Sequence, residues 1–135
     1  MNTAEILAKA ADVIEKQGWA QRSFFERATG HEGLPDLSID ARTCPVCARG
    51  GISVAVGQLP TFGGGAYVEA DAIADWEVVA TAEKVFADYL AAREGWPADR
   101  TMRPDIEYWN DTSERTAEEV VAALRDCASH VRDAV

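Results

Sequence analysis

Two pairs of residues in this chain have the spacing of metal ligands: Cys44-Pro45-Val46-Cys47 and Cys127-Ala128-Ser129-His130. A two-residue gap lets two thiolates grip one tetrahedral ion, and proline and glycine near such a pair are common in zinc knuckles. On a helix, positions i and i+3 share a face, so Cys127 and His130 can complete a Cys3His site with Cys44 and Cys47. His31 is a spare ligand. Zinc is therefore the one cofactor with a candidate site. The competing reading is that the cysteines are small buried apolar residues and His130 lies at the surface. A redox role for Cys44 and Cys47 is disfavoured, because that motif belongs to a strand-helix-strand setting and the surrounding sequence reads as helix.

Other chemistry finds fewer residues. Acyl or hydrolytic catalysis needs a nucleophile, a base within reach and a group that orients the base. Only His31 and His130 are histidine bases, and no Gly-x-Ser-x-Gly elbow occurs. Carboxylate neighbours such as Asp71 and Asp75, or Glu118 and Glu119, read as solvated helix faces, and no Glu-x-x-His motif accompanies them. The glycine run Gly63-Gly64-Gly65 lacks the Lys and Ser/Thr of a phosphate loop and the spacing of a dinucleotide fingerprint. No catalytic set is assigned.

The elements that must position these residues are mainly helical. Thr3 to Gln17 reads as a helix capped by Thr3, with Ile6, Leu7, Ala10, Val13 and Ile14 on one face. Gly18 stops it, and Trp19 just beyond can fold back onto the apolar face. A short second helix is expected over Gln21 to Ala28, then a loop over residues 30 to 43. From Pro45 to Val56 the residues are small and apolar. Thr43 or Cys44 can cap a helix there, with a strand from Ile52 to Val56 as the alternative. The pair Gly50-Gly51 would let another backbone come close.

Pro60 to Gly65 is the clearest break and reads as a connector. Asp71 to Arg93 is the longest expected helix, with Ile73, Trp76, Val79, Ala80, Phe86, Tyr89 and Leu90 as its core stripe and Gly95 as its stop. Residues 96 to 113 read as irregular, and Asn110 and Asp111 suit a turn with side-chain to backbone hydrogen bonds. The last helix has the strongest local signal: Thr116-Ala117-Glu118-Glu119 is a capping box, and Val120, Val121, Leu124, Ala128 and Val131 follow on one face. The expected architecture is one helical domain over 1–135, with four to five helices and long irregular connections.

Composition limits what such a domain binds. Hydrophobic residues make up 47% and charged residues 27%, as in folded globular proteins. No apolar stretch is long enough for a membrane span, and the N-terminus lacks the basic-then-apolar layout of a signal peptide. Three cysteines cannot all pair internally, which fits a reducing, cytoplasmic setting. The net charge is −10, and it is uneven: residues 1 to 67 hold six basic and seven acidic side chains, residues 68 to 135 hold seven and sixteen. Direct binding to nucleic-acid phosphate needs clustered Lys and Arg and is disfavoured. The acidity serves solubility on one reading, and recognition of a basic protein or imitation of nucleic acid on the other.

Three pieces of the chain resemble a family of small uncharacterised proteins from actinobacteria and their phages. They are Gln17-Gly18-Trp19, Cys47-Ala48-Arg49-Gly50-Gly51-Ile52, and Trp109-Asn110-Asp111 followed by Arg115-Thr116-Ala117-Glu118-Glu119-Val120. The resemblance implies a compact helical fold and a cytoplasmic setting, and it imports no catalytic residues. It also implies that Cys47 opens a packed helix, without equivalents of Cys44, Cys127 and His130. Three expectations follow. The first is a non-enzymatic acidic protein, of phage or cellular origin, that binds a host protein. The others are a zinc-stabilised module and a small enzyme acting on a metabolite or nucleotide with His31 or His130 beside a carboxylate.

Overall fold

The first helix, α1 (Thr3–Gln17), starts at the residue expected to cap it, and the cap lies one residue earlier: Asn2 takes the place of Thr3. Asn2 Oδ1 accepts from Glu5 N at 2.9 Å, and the Glu5 carboxylate accepts from Asn2 N at 3.2 Å. Asparagine is among the strongest cap residues, and Glu5 stands three residues after Asn2, the spacing of a reciprocal box. The computed structural model describes residues 1–22, 44–57 and 70–133, with 70–75 as backbone only. The expected helix over Gln21 to Ala28 falls mostly outside these residues, as do the loop over 30 to 43 and the glycine connector. Gln21 and Arg22 themselves form a bend.

Helix α1 buries Ala4, Ile6, Leu7, Ala10, Ala11 and Ile14, the face that its apolar spacing predicts. Burial of Ile6, Leu7 and Ile14 contributes about 1.5–3 kcal/mol each. At the far end Gly18 adopts φ +102° and its N–H donates to Ile14 O at 2.8 Å. That left-handed conformation suits glycine, and a Cβ there would also meet Pro45 Cγ at 3.3 Å. The chain then runs beside residues 44–47, with Trp19 and Val46 joined by one parallel β-bridge. Val46 N donates to Gly18 O and Ala20 N to Val46 O, both at 3.0 Å.

Helix α2 (Ala48–Ala55) confirms a helix where a strand was the alternative, but Cys47 caps it rather than Thr43 or Cys44. Its crossing of α1 depends on Gly51. A Cβ at that position would lie 3.3 Å from Ala10 O and 3.3 Å from Ile14 Cδ1. The close backbone approach expected of the glycine pair is thus made at Gly51, against α1.

Helix α3 (Ala70–Glu94) is the longest, and Gly95 follows it at φ +72°. Its buried stripe is Val79, Ala82, Phe86 and Leu90. Trp76 and Ala80, expected in the stripe, are exposed, Trp76 at 41%. Ala80 stands about 100° round the helix from Val79, off the buried face. Trp76 stands a turn before the first core residue. The side chain of Ile73 lies outside the described set.

Two helices complete the core. The stretch read as irregular contains α4 (Ile106–Asn110), capped by Asp105, whose Oδ1 accepts from Tyr108 N at 2.8 Å. Trp109 of α4 meets Phe86 of α3 edge to face, with ring centroids 5.8 Å apart. Helix α5 (Ala117–Asp133) begins as expected, Thr116 Oγ1 accepting from Glu119 N at 3.2 Å. The Glu119 carboxylate turns instead to Arg115 Nη1 at 2.7 Å, the opposite charge within reach. Val120, Val121, Ala123, Leu124, Cys127 and Ala128 are buried, and α5 packs along α1. The fold class is mainly α, with five helices among the described residues around a shared core. No described helix is long and apolar enough to cross a membrane.

Candidate functional site

The most constrained polar group is the side chain of Asn110, 1% exposed at the end of α4. Its Oδ1 accepts from Trp19 Nε1 at 2.9 Å and from Ala48 N at 3.0 Å. Its Nδ2 donates to Ala20 O at 3.0 Å and to Asp111 Oδ1 at 3.0 Å. Both ends of the amide are therefore satisfied, as burial demands. One side chain ties the turn after α1, the first turn of α2 and the end of α4. Asp111 continues the knot by accepting from Arg22 N at 2.8 Å, and Gln21 Nε2 donates to Asn110 O at 3.2 Å. Gln17 Nε2 donates to Cys44 O at 2.8 Å on the same side of the molecule.

Three sequence pieces that lie far apart in the chain thus meet here: Gln17-Gly18-Trp19, the segment opened by Cys47, and Trp109-Asn110-Asp111. Trp109 is fixed from several sides. Its Nε1 donates to Glu94 Oε1 at 3.2 Å, and the Arg115 guanidinium lies 4.3 Å over its ring. Arg115 Nε also donates to Trp109 O at 3.1 Å, which joins the connector between α3 and α5, residues 95–116, to the start of α5. The amide bonds and the stacked arginine make this region a structural tie.

Sequence reading missed a second cluster. Arg49 of α2 pairs with Glu83 of α3 at 3.3 Å and with Glu107 of α4. Burial opposes the guanidinium charge, yet the two carboxylates outweigh it and hold Arg49 protonated. Burial raises the pKa of Glu83 above the usual carboxylate range, with Arg49 working against that shift. Two like charges on one cation make a partly desolvated junction among three helices. No local spacing announces it, because its members sit 34 and 58 residues from Arg49.

The metal-ligand candidates stand in different surroundings. Cys44, Cys47 and Cys127 are buried and form no disulfide, whereas the His130 side chain is 68% exposed. Val46, between Cys44 and Cys47, forms the bridge to Trp19. Cys47 Sγ accepts from Gly50 N at 3.3 Å as the cap of α2. Burial pushes the Cys47 thiol up to about 11 and Cys127 up to about 12. Both are neutral thiols at physiological pH and correspondingly weak nucleophiles. Among the described residues, no group of three or more His, Cys, Asp or Glu side chains is arranged to hold a metal ion. His31 lies outside those residues.

His130 does stand beside a carboxylate, in an open setting. Its Nδ1 lies 2.8 Å from Asp126 O and 3.6 Å from Asp126 Oδ2, and its ring is 5.7 Å from that of Tyr89. The Tyr89 hydroxyl donates to Asp126, and burial together with that bond pushes the phenol up to about 12. The phenol is thus kept protonated and supplies no nucleophile to the histidine.

The acidic second half presents its charge outward. Four of its arginines are drawn into internal pairs: Arg103 and Arg100 both reach Asp88, at 2.7 and 3.1 Å, and Arg115 reaches Glu119. Arg125 leaves α5 to pair with Asp12 and Glu15 of α1. Glu77, Asp99, Asp105, Glu114, Glu118 and Asp133 are exposed. Among these carboxylates the connector also exposes Met102 at 72% and Tyr108 at 65%.

A family model matches residues 1–130, nearly the whole chain. The chain belongs to DUF6197, a family of unknown function. Membership in DUF6197 agrees with the expected uncharacterised family and carries no activity with it. No curated protein and no solved structure matches the chain.

Proposed function

We propose that this member of DUF6197 is a non-enzymatic binding protein whose acidic second half engages a basic surface of another protein in the cytoplasm. The observation that carries the reading is the disposition of charge. Arg100, Arg103, Arg115 and Arg125 of the second half are engaged by carboxylates of the same molecule, while Asp99, Asp105, Glu114 and Glu118 face solvent. An outward negative field of this kind attracts cationic partners and speeds their encounter, more strongly at low salt. The exposed Tyr108 supplies an amphipathic ring of the type enriched at protein interfaces. The reactive candidates point away from catalysis, with two deeply protonated thiols and a solvated histidine. The resemblance to proteins of actinobacteria and their phages makes a host protein of such a cell the partner to seek.

The test is affinity capture from an actinobacterial lysate with the wild-type chain and with a variant carrying Asp99→Asn, Glu114→Gln and Glu118→Gln. A specific protein retained by the wild type, and lost on neutralisation or in high salt, is the expected result. Retention that ignores both the substitutions and the salt would refute a charge-led interaction. Recovery of no partner would refute the binding reading itself.

A further inference from the structure

We draw no further inference here: the strongest candidate, the surface patch on the connector between α3 and α5 where Met102 and Tyr108 are exposed together with Asp99 and Asp105, belongs to the acidic surface already described, and nothing in the structure shows what covers it.

Discussion

Replacing Asn110 with alanine should remove a large share of the folding free energy. The substitution leaves three groups without their partner: Trp19 Nε1–H, Ala48 N–H and the Ala20 carbonyl. Ala48 is fully buried and Ala20 is 4% exposed, so water has poor access to either. A buried polar group left unsatisfied costs about 1–3 kcal/mol. Trp19 is only half-buried, and water recovers part of its loss. The small cavity adds about 1 kcal/mol. The expected cost is about 3–5 kcal/mol, against a total stability of roughly 5–15 kcal/mol for a domain.

Urea unfolding followed by circular dichroism reads this as a fall in the midpoint at unchanged slope. A surface control, Glu118→Gln, should stay within about 0.5 kcal/mol of wild type. Asn110→Asp adds a signature that plain packing loss lacks. It keeps the acceptor for Trp19 and Ala48 but turns a donor into an oxygen facing Ala20 O and the Asp111 carboxylate. Its folded pKa is therefore raised above the unfolded value of about 3.9. Such a group is least costly in acid, and the stability falls as pH rises through the raised value. An Asn110→Ala midpoint equal to wild type, or an Asn110→Asp variant indifferent to pH, would refute the knot as the tie between these segments.

Tyr89, pushed up to about 12, should ionise later than an ordinary phenol near pH 10. Its stabilising effect is complete below about pH 10 and is lost as pH rises towards 12. Ultraviolet titration of wild type and Tyr89→Phe tests this: the two curves should coincide until the pH nears 12, and a difference between them centred near the ordinary phenol value of about 10 would contradict it. Cys47 and Cys127 should react slowly with a thiol reagent at pH 8 in the folded protein and readily in denaturant. Metal analysis of the same sample, if it found one zinc per chain, would overturn the placement of Cys44, Cys47, Cys127 and His130. Gly51→Val should destabilise by about 1–3 kcal/mol, because its side chain would press on Ala10 O and Ile14. A variant as stable as wild type would show that α1 and α2 are not held that close.

The two terminal helices were legible because their signals are local. In α1 and α5 the apolar residues recur at helical spacing and capping side chains stand within three residues of their targets. The stop at Gly18 and the close approach at Gly51 follow from glycine chemistry for the same reason. Helix α3 shows where that logic ends. Apolar residues occur all round it, so periodicity does not choose the face, and Trp76 was misplaced into the core. Helix α4 is too short, at five residues, to establish a period.

The metal hypothesis rested on two local spacings, each correctly read as a spacing. Whether two pairs 80 residues apart converge is a matter of how α5 rolls against α1, and that roll puts Cys127 inside and His130 outside. Asn110 makes the same point in the opposite sense. Its sequence neighbours indicate only a turn, yet Trp19 and Ala48 reach it from 91 and 62 residues away. Elements whose forces act within a few residues can be read from the chain alone. Partners brought together by packing of the whole core are decided only when the helices have found one another.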